Sequence, residues 1–466
     1  MEGILARHKR WAHGLGPFVA QECEFEEKAM LRSGRLLAAF AAMLLVTGFT
    51  APARAGELRA GAAKVSITPP ADEFPYQWGS ERSFVGVHDD VFARALVLDD
   101  GTTRVALVVE EVTAVPNAQR VVEEVAQAVG VPVSNVIVSA SHTHESLIVF
   151  IHGEPQTPTQ KEEVQRVTDG TVEAAKEAAA HLQPARIAYG RGAAYVNINN
   201  GEAAGLTTGF DPQGPSDKTL DVVRVEGNDG KAIAMVLNYA SHAETMFRSV
   251  TKDGGYEVSG DIPGAVSRIM EANPAGAPVV LYTAGAEADQ LPLFKSLEPA
   301  ADNMPAMDAG AAGWALVQVM ARRLAAAVID TEGSMEPGTS NVTVQAASDT
   351  VSCPSRTVHM DIQTHQMIQV DGASVIIPVV TVRVNDIAFA AVGGDMGSQI
   401  GQEIRKASPA RDTIVVSQMA GAVSYILPDA SYIHPGHGLA GSQLKPGCAE
   451  IALPQGVAAM LGGHAN

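Results

Sequence analysis

Twice in this chain an apolar run is followed within three residues by histidine, and that recurrence restricts the folds open to it more than any other feature. The first run is Val136-Ile-Val-Ser-Ala140, which leads through Ser141 to His142-Thr-His144-Glu145. The second is Ala232-Ile-Ala-Met-Val-Leu-Asn-Tyr239, which leads through Ala240-Ser241 to His242. Short continuous apolar runs bounded by turn residues read as buried strands. Gly130 and Pro132 supply that boundary in the first case, Gly227-Asn-Asp-Gly230 in the second. Open α/β folds place their chemistry just past the carboxyl ends of such strands. His142 and His144 are two apart, so an extended loop sends both rings to one side of the chain, where neutral imidazoles can converge on one ion. Taken alone, the pair also reads as two satisfied polar loop histidines.

The remaining pattern is α/β as well. Lys64-Val-Ser-Ile-Thr-Pro-Pro70 is a strand stopped by its prolines, and Phe92–Leu98 with Arg104–Val109 flanks Asp99-Asp-Gly101 as a hairpin. A helix over about 117–129 joins that hairpin to the first histidine strand, which implies a parallel crossover. Further helices are expected over 160–182, from a cap at Asp261 to Glu271, and over 310–330. Residues 217–225 and 232–239 read as paired strands. Val279–Thr283 opens into the acidic segment Glu287-Ala-Asp289, which reads either as a solvated loop or as part of a site. Several strands alternate between Val342 and Ile387, Ile387–Val392 ends in Gly393-Gly-Asp395, and Ile414–Gln418 leads to Tyr425-Ile-Leu-Pro428. No internal sequence repeat or linker interrupts the chain. The expected architecture is one large α/β domain over 56–466, with mixed β-sheets flanked by helices and a metal site at strand carboxyl ends.

At 46% hydrophobic residues, a chain of 466 can bury a large core. Its 33 basic against 52 acidic side chains, a formal charge of −19, argue against nucleic acid and against docking on anionic lipid. Residues 30–55 read as a signal peptide: Arg32 and Arg35, the apolar run Leu36–Val46, and Ala53-Arg54-Ala55 before a cleavage at Gly56. Residues 1–29 are then an upstream extension, and the mature protein is exported, periplasmic or secreted. No other stretch approaches the roughly 20 apolar residues of a transmembrane helix. With Cys23 set aside, Cys353 and Cys448 form an even pair suited to a disulfide in an oxidising compartment. There is no cysteine metal motif, so any metal is held by histidine and oxygen ligands.

Taken in order, Ser66-Ile-Thr-Pro-Pro70, Val87-His-Asp-Asp-Val-Phe-Ala-Arg94, Ser141-His-Thr-His144, Asn238-Tyr-Ala-Ser-His242, Asp261-Ile-Pro-Gly264 to Glu271, and Ser424-Tyr-Ile-Leu-Pro428 resemble the blocks of the neutral/alkaline non-lysosomal ceramidase family, amino-terminal catalytic domain. The resemblance implies one zinc ion per chain, held by His142, His242, Asp395 and Tyr425, with His144 behind the ligands or acting on the scissile group. Such a nitrogen and oxygen set suits zinc and a metal-activated water that attacks an amide carbonyl, with Glu145 or Asp289 passing the proton. The chain departs from the family pattern at several points. Ala288-Asp289-Gln290-Leu291-Pro292 has leucine where the family loop has serine, Glu145-Ser146 replaces Ser-Gly, the carboxylate ligand is Asp rather than Glu, and His437 stands for a later tyrosine. The sequence stops where longer ceramidases continue into an immunoglobulin-like domain, so a chain without that domain is expected. The function expected is an exported zinc-dependent hydrolase of an N-acyl amide, with a ceramide-like lipid or another small acyl amide as substrate. The alternatives are a hydrolase of the same fold for another amide, ester or lactone, and a non-catalytic, metal-stabilised binding protein.

Overall fold

The computed structural model describes residues 55–463 apart from 77–82, 147–156, 207–208, 275, 299–304, 361–366 and 435. The expected signal peptide and upstream extension therefore lie outside the described residues, save Ala55. Eight strands form the larger sheet: β1 (Arg59–Ser66), β2 (Phe92–Asp99), β3 (Arg104–Glu110), β4 (Val136–Ala140), β5 (Gln183–Ala193), β6 (Thr219–Gly227), β7 (Ala232–Tyr239) and β8 (Val280–Ala284), in the spatial order β8-β7-β6-β5-β1-β2-β3-β4. A second sheet holds β9 (Val344–Met360), β10 (Met367–Val384), β11 (Ile387–Val392) and β12 (Asp412–Val416) in sequence order. The main helices are α1 (Ala118–Val129), α2 (Pro158–Ala180), α3 (Asp261–Ala272), α4 (Trp314–Glu332), α5 (Ser398–Ala407) and α6 (Ala449–Gly462).

Strand alternation sorts the core into layers. Leu96, Leu98, Val105, Leu107, Val223, Val225, Val236 and Leu281 face the second sheet and share one cluster with Val382, Phe389 and Val416. The intervening residues face outward, Ala95, Val108 and Val138 onto α1 and α2, Leu237 and Val280 onto α3 and α4. On the far side, Ala388, Ala390 and Val415 meet Ile400 and Ile404 of α5 and Leu453 and Val457 of α6. The result is four layers, helix, sheet, sheet, helix.

One unit of topology occurs three times. An antiparallel strand pair is followed by a crossover helix and a strand parallel to the second of the pair: β2-β3-α1-β4, β6-β7-α3-β8 and β10-β11-α5-β12. The sequence shows no repeat because the units share only their hydrophobic period and not their residues. In each unit the parallel pair points its carboxyl ends at a common centre. Ala140 N–H donates to the Gln418 carbonyl at 3.0 Å, Ser417 N–H to Ala284 at 2.9 Å, and His144 N–H to Ala243 at 2.8 Å. Gly285 is needed there, since a Cβ would come within 2.9 Å of the Ala240 nitrogen.

Three expectations change. The region from Val342 to Ile387 is mainly one long hairpin, β9 and β10, and Pro354 sits at a register shift of the edge strand β9, where its missing N–H is tolerated. Asp261 is the first residue of α3 and does not cap it; Gly260 precedes the helix, and the Asp261 carboxylate accepts from Thr245 Oγ1 at 2.9 Å. The segment Gly310–Glu332 is long and apolar enough to cross a membrane, with a mean hydropathy of 1.3. Its Trp314, Val317, Met320, Leu324 and Val328 are spent on the core beside α3. Cys353 and Cys448 are joined by a disulfide that ties the start of α6 to β9.

Candidate metal centre

Each unit contributes side chains from two or three residues past a strand end. His142 follows β4, His242 follows β7, and Asp395 follows β11; all three are buried. His142 adopts a left-handed backbone, φ 63°, so the loop is not simply extended, yet its ring still meets that of His144, with the two Nε2 atoms 3.2 Å apart. The ligating nitrogens of His142, His144 and His242 all lie within 4.8 Å of one another.

Backbone carbonyls orient two of these rings. His142 Nδ1 lies 2.6 Å from the Thr113 carbonyl and His242 Nδ1 2.9 Å from the Glu287 carbonyl, so each Nδ1–H donates and each Nε2 is turned inward. Both Nε2 atoms face one carboxylate, Asp395 Oδ2, at 3.7 Å from His142 and 3.4 Å from His242. Asp395 Oδ1 is buried without a hydrogen bond among the described residues. Tyr425 is the direct ladder partner of Asp395 in the short parallel pair Asp395–Met396 with Tyr425–Ile426, which puts the two side chains on one face. Burial, then the Asp395 charge, holds the Tyr425 phenol well above its ordinary pKa.

The electrostatics ask for a cation. Burial and the His242 charge lower His142 to about 4. Burial also opposes charge on His242, but Asp395, Glu244 and Glu287 outweigh it and raise that ring to about 10. Without an ion, one histidine carries the positive charge that the surrounding carboxylates require. The donor set of two oriented imidazoles, an under-bonded carboxylate and a phenol fits zinc.

His144 and Glu145 face a different space. With Phe84, Met246, Phe247 and Trp314 they line a small cavity of about 30 Å³. Burial, then His142, holds His144 well below its ordinary pKa. Burial, then the Asp261 carboxylate that shares a hydrogen bond with it, pushes Glu145 well up. Asp289 is buried but occupied: it accepts from Ser398 N–H and Oγ–H, each at 2.8 Å, and from Asn199 Nδ2 at 3.2 Å. The structure thus gathers His142, His144, His242, Asp395 and Tyr425, sets Glu145 at the cavity, and uses Asp289 to fasten the loop to α5.

Sequence reasoning missed the Thr113 carbonyl, Gln418, and the burial of Glu287, whose acidic segment is not a solvated loop. A signal for Glu287 was present: it lies three residues past β8, the offset at which His242 follows β7 and Asp395 follows β11.

Among curated proteins, the chain is 30% identical over 201 residues to a neutral ceramidase of Pseudomonas aeruginosa, a match covering 38% of this chain and 30% of that protein. Among solved structures, a ceramidase complexed with C2 superimposes with a TM-score of 0.67 at 15% identity, covering 87% of this chain and 75% of the other. The Pseudomonas aeruginosa neutral ceramidase structure gives 0.66 at 16%, covering 88% and 75%. At those identities the superpositions establish the fold alone. Residues 59–293 match the family described as neutral/alkaline non-lysosomal ceramidase, N-terminal, and the chain belongs to that family.

Proposed function

We propose that this protein is an exported, zinc-dependent hydrolase of an N-acyl amide, a ceramide-like N-acylsphingosine or a related acyl amide. The observation that carries the proposal is the convergence of His142 and His242 Nε2 on Asp395 Oδ2 at the ends of three parallel strand pairs. Membership of a ceramidase family supports the amide as the bond cleaved. His142, His242, Asp395 and Tyr425 hold one ion. Zinc there supplies Lewis-acid polarisation of an acyl carbonyl and a nucleophile at neutral pH.

The chain's own groups do the rest. The Thr113 and Glu287 carbonyls fix the ring orientations. His144, neutral at physiological pH, accepts a proton at Nε2. Glu145, whose carboxyl burial and Asp261 hold well above its ordinary range, is the acid for a leaving amine. Phe84, Met246, Phe247 and Trp314 offer hydrocarbon a surface. Asp289 positions its loop through Ser398 and Asn199. In that loop Leu291 supplies no nucleophile, so hydrolysis proceeds without a covalent acyl-enzyme. The same leucine favours, as the second reading, an amide, ester or lactone other than ceramide. The residues Arg32, Arg35, Leu36–Val46 and Ala53-Arg54-Ala55 support export, with the Cys353–Cys448 bridge. Incubating the purified protein with N-acyl amides of graded chain length tests the activity; release of free acid supports it, and no release from any of them contradicts it.

A further inference from the structure

Glu287 is wholly buried, and both of its carboxylate oxygens lack a hydrogen bond among the described residues. Its peptide carbonyl has a task, receiving the Nδ1–H of His242 at 2.9 Å, but its side chain has none in the fold. The electrostatic neighbours of the carboxylate are His242 and Asp395, and its charge is also felt by Tyr425. The side chain therefore lies at the candidate metal centre and not in the apolar layers around it.

Gln418 completes the anomaly. Its backbone is left-handed, φ 56°, an unusual conformation for a residue with a side chain, and is pinned on both sides. Its N–H donates to Gly394 at 3.1 Å, and its carbonyl receives Ala140 at 3.0 Å. Its buried amide is the side-chain neighbour of the Glu287 carboxylate, and among the described residues its two amide atoms make no closer hydrogen bond. Together with Asp395 Oδ1, three carboxylate oxygens and one amide are thus crowded in one buried place with little hydrogen bonding among the described residues. Unpaired buried polar groups are costly and few in native proteins, and an isolated buried carboxylate is tolerated only when a charge compensates it.

We propose that Glu287, positioned by Gln418, is a second counter-charge of the cation site, so that a divalent ion is balanced by two carboxylates, Asp395 and Glu287, and not by one. The inference rests on the metal-centre reading above and extends it to a residue outside the four proposed ligands. Glu287 acts through the charge of the ion, as a positioning and affinity-setting residue. Its carboxylate destabilises the empty protein and stabilises the loaded one. Gln418 holds that carboxylate in place where a solvent-facing side chain would let it turn away.

The test compares wild-type protein with Glu287→Gln and Glu287→Asp, reading zinc affinity by competition with a chelator and thermal midpoint after metal removal. Loss of the charge in Glu287→Gln is expected to weaken zinc binding about 10–100-fold while leaving the metal-free midpoint unchanged or higher. Glu287→Asp, which keeps the charge but sets it back by one methylene, is expected to fall between Glu287→Gln and wild type. Zinc affinity of Glu287→Gln within threefold of wild type overturns the proposal. So does a Glu287→Gln protein that fails to fold or melts lower without metal, since that makes Glu287 a structural group. His142→Ala, measured alongside, separates the two levels: unaltered zinc affinity in that variant means the site itself has been misplaced, whatever Glu287 does.

Discussion

His242 Nε2 and Asp395 Oδ2 stand 3.4 Å apart although 153 positions separate them in the chain, and Asp395 lies about 100 residues beyond the segment that matches the ceramidase family. The larger sheet brings the imidazole and the smaller sheet brings the carboxylate. The centre therefore exists only when the two sheets are packed face to face, through the shared cluster of Val236, Leu281, Phe389 and Val416. Removing Phe389, a fully buried side chain in that cluster, is expected to cost about 3–5 kcal/mol as Phe389→Ala and to weaken metal binding with it. Urea denaturation and zinc titration of the same preparation check both; a large loss of stability with unaltered metal affinity argues that the halves of the site are not coupled through this core.

His142→Ala and His242→Ala are each expected to retain little zinc, because each removes an imidazole whose orientation a backbone carbonyl has already fixed. Elemental analysis after gentle purification reads this directly. Near-stoichiometric zinc in both variants counts against these ligands.

Glu110 gives a prediction about pH. It is fully buried at the end of β3 with one hydrogen bond, from Thr171 Oγ1 at 2.8 Å, and burial pushes its pKa up to about 8 from an ordinary 4.5. Between those values the folded protein holds a proton that the unfolded chain has released. Stability contributed by the neutral form is therefore complete below about pH 4.5 and is lost as pH rises towards 8, at up to ~1.4 kcal/mol per pH unit. Glu110→Gln removes the titration. Relative to wild type, it should gain stability between pH 5 and pH 8.5 in urea unfolding, and parallel profiles for the two proteins would show that Glu110 does not titrate in this window.

The loop residue Leu291 bears on the route of hydrolysis. With leucine in place of a hydroxyl, no acyl-enzyme should accumulate in rapid-quench experiments, and Leu291→Ser should change substrate preference more than maximal rate. A covalent acyl adduct trapped on the wild-type chain would falsify the direct route.

Export is checked by the amino terminus. Protein recovered from its native host is expected to begin at or near Gly56 and to carry the Cys353–Cys448 bridge, both read by mass spectrometry. An intact segment 30–55, or two free thiols, would contradict it.

Much of this was legible in the sequence because strand period and strand-end polarity are local signals. Val136–Ala140 and Ala232–Tyr239 declare themselves as strands, and His142 and His242 follow from them. What could not be read is long-range. The left-handed turn at His142, the Thr113 carbonyl behind its ring, and the burial of Glu287 depend on packing between units that share no sequence. Asp261 misleads for the same reason: a residue type that favours caps is drawn towards Glu145 by the tertiary structure. Asp289 resembles a free acid in sequence, and only the approach of Ser398 and Asn199 shows that its oxygens are occupied.

The central claim is that a zinc ion held by His142, His242, Asp395 and Tyr425 enables cleavage of an N-acyl amide. Fatty acid release from an N-acylsphingosine, followed before chelation, after removal of the metal, and after zinc is returned, tests it most directly. Release should disappear with the metal and return with zinc; release that persists unchanged in the metal-free protein would contradict this assignment.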